Sequence, residues 1–122
     1  MVLTLTMADL ADITPYEGEN VGAAWTDETR DEVGLQAESF VCCMIRYDAV
    51  TNWAAIGAIE KRIMTEYVAR SVALAAIAFN MVGFTSRIEA EDMLNIIVWR
   101  LRAIEKLLTD QKTVTFIQGG TV

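Results

Sequence analysis

Glu89, Glu91 and Asp92 place three carboxylates within four positions, a grouping that could hold a metal ion. Their spacing argues against it. Successive helical residues are about 100° apart, so the three spread around a first helical turn, where the helix dipole favours negative charge. Cys42 would serve as a nucleophile only beside a base or with a strongly depressed pKa, and the sequence supplies neither. The chain has no histidine. That removes histidine-based acid–base chemistry, triads with a histidine base, the commonest zinc sites and the carboxylate–histidine motif of di-iron bundles. Glu60 and Glu66 stand near Lys61, Arg62 and Arg70 and read as surface or interface charges. Gly119-Gly120 lacks the strand, turn and helix of a phosphate loop. The expectation is a chain with no catalytic residues, no metal and no cofactor.

The elements around these residues are more informative. Gly83 suits the left-handed conformation that closes a helix. Ser86 and Glu89 have the spacing of a capping box, in which each side chain bonds the other's free backbone N–H. Gly83, Ser86 and Glu89 together predict a tight hairpin between two long helices. The pattern predicts a helix over 27–46, with Thr26 as N-cap, acids in its first turn and Val33, Ala37, Phe40, Val41, Met44 and Ile45 at helical spacing. Gly34 weakens its early part by about 1 kcal/mol relative to alanine. Residues 47–54 read as a connection, with Asp48, Thr51 and Asn52 as turn and cap formers and Trp53 as anchor. A second helix is predicted over 56–82, with Ile56, Ile59, Ile63, Tyr67, Leu74, Ile77 and Met81 on one face. From Val68 onward it is apolar nearly all round, as a helix buried on more than one side would be. A third, over 87–109, carries Ala90, Leu94, Ile97, Leu101, Ile104 and Leu108 as a bundle seam.

The ends read differently. Residues 2–6, including Leu3 and Leu5, alternate in the manner of a strand, and so do Val114, Phe116 and Ile117. A strand cannot satisfy its own backbone. The two segments would pair with each other or with a strand from another molecule, the second being preferred. Residues 7–26, with Pro15, Gly18 and Gly22, read as irregular. The fold class predicted is mainly α: a three-helix bundle with a long central hairpin and short strand-like arms. It forms one domain, with an acidic arm over 1–26, the bundle over 27–110 and a C-terminal arm over 111–122.

Composition bounds the function. Of 122 residues, 53% are hydrophobic and the net charge is −7. A domain of this size has a limited interior, so part of the apolar excess is expected to face other chains. The longest apolar run, Val72 to Phe79, is far short of the roughly 20 residues of a spanning helix. No secretory leader is expected either, since no basic region precedes the first apolar residues. The first 34 residues hold eight acids against Arg30 alone, while the rest of the chain is balanced. Such a segment repels nucleic acid and suits a basic protein partner, or it is simply solvated. Cys42 and Cys43 are adjacent and do not bridge readily. Buried free thiols in a reducing compartment are expected. Among Trp25, Trp53 and Trp99, only Trp99 lies off its helix's seam. It is the candidate intersubunit contact, the other two being core.

The run from Phe40 to Ile117 resembles small virion proteins of tailed bacteriophages, of the head–tail connector or adaptor type. The resemblance rests on Arg46-Tyr47, on Asn80-Met81-Val82-Gly83-Phe84, and above all on Thr85-Ser86-Arg87-Ile88-Glu89-Ala90-Glu91-Asp92-Met93. It closes with Thr115-Phe116-Ile117-Gln118-Gly119. It implies a homo-oligomer, typically a dodecameric ring, docked beneath a portal protein and offering a platform to neck or tail proteins. The localisation implied is the virion neck after assembly in the host cytoplasm. DNA would pass through without sequence-specific binding, and acidic residues along the channel would leave its phosphates unneutralised and mobile. Terminal segments reaching to neighbours fit this picture, which makes Trp99, Val114, Phe116, Ile117, Leu3 and Leu5 the candidate interface residues. The competing expectation is a cytoplasmic helical-bundle adaptor or regulatory homo-oligomer outside any virion.

Overall fold

The computed structural model describes residues 5–17, 25–79 and 87–110. They form four helices: α1 (Leu10–Glu17), α2 (Asp27–Ile45), α3 (Ala58–Phe79) and α4 (Arg87–Leu108), with one 3-10 turn at Trp53–Ala55. The fold is a mainly α bundle, with no strand among the described residues.

Thr26 caps α2 by accepting the Thr29 N–H at 3.2 Å, and Asp27 and Glu28 fill the first turn. The helix ends at Arg46, which takes the left-handed conformation at φ 55° and sends its N–H to the Cys42 carbonyl. A side chain in that conformation costs about 1–2 kcal/mol. Arg46→Gly is therefore expected to raise the melting temperature by a few degrees; calorimetry showing no rise would mean that the Arg46 side chain repays its strain.

The connection from α2 to α3 is held by Asp48, which accepts the Thr51 N–H at 3.0 Å and its hydroxyl at 2.6 Å. These bonds, the Thr51 side chain first, hold the Asp48 carboxyl below its usual range. Trp53 packs on the core, and the Lys61 ammonium lies 5.4 Å from its ring centre.

α3 is the centre of the molecule and packs against α1, α2 and α4. Val68, Ala69, Val72, Ala73, Ala76 and Ile77 are all buried, so the all-round apolar stretch does face more than one neighbour. The small alanines let those neighbours approach closely. α4 presents Ile97, Leu101, Ile104 and Leu108 to the core, the seam its spacing predicts.

Three expectations need correction. The segment read as an irregular acidic arm contains α1. Its start is a reciprocal cap: Asp12 N–H donates to Asp9 Oδ1 and Asp9 N–H to Asp12 Oδ2, both at 3.0 Å. Met7, Ala8 and Ile13 from this segment are buried in the core. Residues 5 and 6 are not a strand, because the N–H groups of Thr6 and Met7 both donate to Glu38 Oε2 instead of to a ladder. The acids of this region are not all solvated either. Asp31 is buried and its Oδ1 accepts from Arg30 Nε at 3.1 Å and from an Arg30 terminal nitrogen at 3.0 Å. The predicted hairpin residues Gly83 and Ser86, and the strand-like residues Leu3, Val114, Phe116 and Ile117, lie outside the described residues.

Candidate functional site

α4 has two apolar faces. The first is the buried seam. The second consists of Ile96, Trp99, Ala103 and Leu107, all exposed. Trp99 is 71% and Ile96 64% exposed. At 3.6 residues per turn these four fall on one stripe, away from the seam and about 16 Å long. A lone exposed apolar side chain is ordinary, but an aligned set with a tryptophan at its middle marks a surface suited to another protein.

Polar contacts fix this face relative to α3. Glu66 receives Arg70 Nε at 2.8 Å, Arg100 Nε, and an Arg100 terminal nitrogen at 3.0 Å. The Arg100 bond, more than any other cause, holds the Glu66 carboxyl below its usual range. Glu66 in turn raises the Arg100 guanidinium. The Arg70 guanidinium stacks 4.4 Å above the Tyr16 ring, which ties α1 into the same cluster. On the other flank of α4, Tyr67 donates its hydroxyl to Glu105 at 2.8 Å. Burial first, then that carboxylate, pushes the phenol well above its ordinary pKa.

Among the described residues, concavities lie on either side of α3. One, of about 400 Å³, opens between α1, the 3-10 turn and α3, with Tyr16, Trp53, Lys61, Thr65 and Glu66 in its walls. Its two aromatic rings are already covered by Lys61 and Arg70 of the same chain. The other, of about 250 Å³, lies between α2 and α3 and is lined by Val33, Gln36, Ala37, Phe40, Tyr67 and Ser71. Phe40 stacks on Tyr67 with ring centres 6.2 Å apart. Among the described residues, no group of three or more histidine, cysteine, aspartate or glutamate side chains is placed to hold a metal. No described helix is long and apolar enough to cross a membrane.

Of the residues singled out from sequence, Trp99 stands exposed at the middle of the second α4 face. Leu5 does not join it; its side chain packs on the core over Gly34, where an added Cβ would meet a Leu5 methyl group at 2.5 Å. Glu89 lies in the first turn of α4, with its side chain outside the described residues. Trp25 and Trp53 pack against the core. The cysteines are free, but Cys43 is exposed and Cys42 half-buried, so the expected burial of both thiols is not met. Phe40 and Ile59 share the apolar period of their helices, yet they are 53% and 72% exposed. Ile96 and Leu107 carried a signal that went unread: they share Trp99's side of the helical wheel. No family model, no curated protein and no solved structure matches this chain.

Proposed function

We propose that this protein is a structural subunit that assembles with copies of itself through the outer face of α4, as a head–tail connector ring of a tailed phage. The observation that carries the reading is the exposed stripe of Ile96, Trp99, Ala103 and Leu107 on a helix pinned to the bundle by Glu66 and Arg100. A rigid helix presenting an aromatic anchor loses little conformational entropy on binding. The sequence resemblance centred on residues 83–93 supplies the partners: a portal protein on one side and neck or tail proteins on the other. Virion localisation and passive passage of DNA follow from the same resemblance.

The test is native mass spectrometry of the purified protein, alone and mixed with a portal protein. A ring, formed alone or only on the portal, is the expected result, and Trp99→Glu is expected to abolish it with helical circular dichroism unchanged. A stable dimer indifferent to the portal would replace this reading with that of a helical-bundle adaptor.

A further inference from the structure

We infer that the contact between copies is head-to-tail, with the Trp99 stripe of one copy seated in the α2–α3 groove of the next. This deepens the ring-forming reading and rests on its premise that a second copy covers α4. The two surfaces differ in shape: a row of projecting side chains on α4, and a concavity of about 250 Å³ walled by Phe40 and Tyr67 and large enough for one bulky aromatic ring.

They also lie on different sides of the subunit. Tyr67, in the groove wall, bonds Glu105 on α4, so the groove opens beside the flank of α4 that carries Glu105. Ile96, Trp99, Ala103 and Leu107 sit between about 120° and 180° around the helix axis from Glu105. A chain therefore cannot fill its own groove, and in a head-to-tail pair one copy retains an unused groove and the other an unused knob. Such a contact propagates, and it closes into a ring when the rotation permits.

Charge selects a second copy as the occupant. Asp31 and Glu38 of α2 are buried within the subunit, but Asp27, Glu28 and Glu32 are at its surface, and Glu32 is exposed one turn from the groove residue Gln36. Arg102 and Lys106 are exposed one and two turns beyond Trp99. With Trp99 in the groove, Arg102 lies about 5 Å along its helix from the anchor, and Glu32 lies about 6 Å along its own from Gln36. The basic side of the knob thus meets the acidic rim of the groove, which favours this pairing and orients it.

The experiment mixes two variants that each spoil one surface: Trp99→Glu, and Gln36→Trp, which plugs the groove from an exposed position. Phe40→Ala, which removes one wall, serves as a second groove variant, and circular dichroism checks that all three fold. The wild type is expected to self-associate with rising concentration in analytical ultracentrifugation. Each variant alone is expected to associate on the order of 30-fold more weakly or not at all. An equimolar mixture of Trp99→Glu and Gln36→Trp retains one good knob and one good groove, so it is expected to form a 1:1 pair that grows no further. Wild-type assembly by both groove variants alone, a mixture that stays monomeric, a wild type that stops at a dimer, or a wild type that assembles neither alone nor on a portal protein would each overturn the inference. A 1:1 pair from proteins that ignore the portal would keep the knob-in-groove contact and remove the connector reading.

Discussion

Glu38→Ala is expected to destabilise the protein by about 3 kcal/mol, because hydrogen bonds to a charged group are worth about 1.5–3 kcal/mol each and this substitution removes two. Glu38 is only 2% exposed and its Oε2 accepts from the backbone N–H groups of Thr6 and Met7. Met7 is held from the opposite side too, its carbonyl accepting the Thr65 hydroxyl at 2.7 Å. With alanine at position 38, the buried Met7 N–H loses this partner and a void opens beside it. Glu38→Gln keeps an oxygen that can accept, and should cost clearly less. Urea unfolding gives the free energies, and hydrogen exchange at Met7 gives the local effect, with protection falling in Glu38→Ala. Equal stability of the alanine and glutamine variants would show that these bonds do not hold the segment.

Glu66→Ala is expected to cost about 2 kcal/mol, at the low end of charged hydrogen bonding because Arg100 is well exposed and can re-solvate. The loss depends on pH, and its sign follows from the lowered carboxyl pKa. A carboxyl depressed in the folded state adds stability above its unfolded pKa, about 4.3, and loses it as pH falls through the folded value. The stability gap between wild type and Glu66→Gln should therefore be full at pH 6 and shrink at pH 3 in urea titrations. A gap of the same size at both values would assign the effect to packing and not to charge. Added salt should narrow it at pH 6 by screening the exposed arm of the cluster.

What could be read beforehand was what local chemistry dictates. Thr26 and the acids after it announce the start of α2, and the alternating steps of Ile97, Leu101, Ile104 and Leu108 give the buried side of α4. Trp99 stood out because it broke that pattern. α1 carries a weak signal in the sequence: Pro15 and Gly18 speak for irregular chain, and its capping pair, Asp9 and Asp12, uses two aspartates where serine or threonine with glutamate is the familiar form. Glu38 looked like one more helical acid. Its partners are backbone groups 31 and 32 residues away, and no spacing rule reaches that far. Phe40 and Ile59 fit the apolar period of their helices, but periodicity does not say how wide the buried face is, and both lie past its edge. The groove beside Phe40 is a tertiary feature, made only when Tyr67 arrives from α3.

The clasp on Met7 also dictates an order of events during synthesis. Its two jaws, Glu38 and Thr65, follow it by 31 and 58 residues. Met7 is therefore made long before the second jaw exists, and stays unsecured until about the first third of α3 has been translated. At 5–20 residues per second that interval is on the order of several seconds. The segment first made among the described residues thus waits for two later elements to be fastened, and until then Met7 and Ile13 are apolar side chains open to other chains.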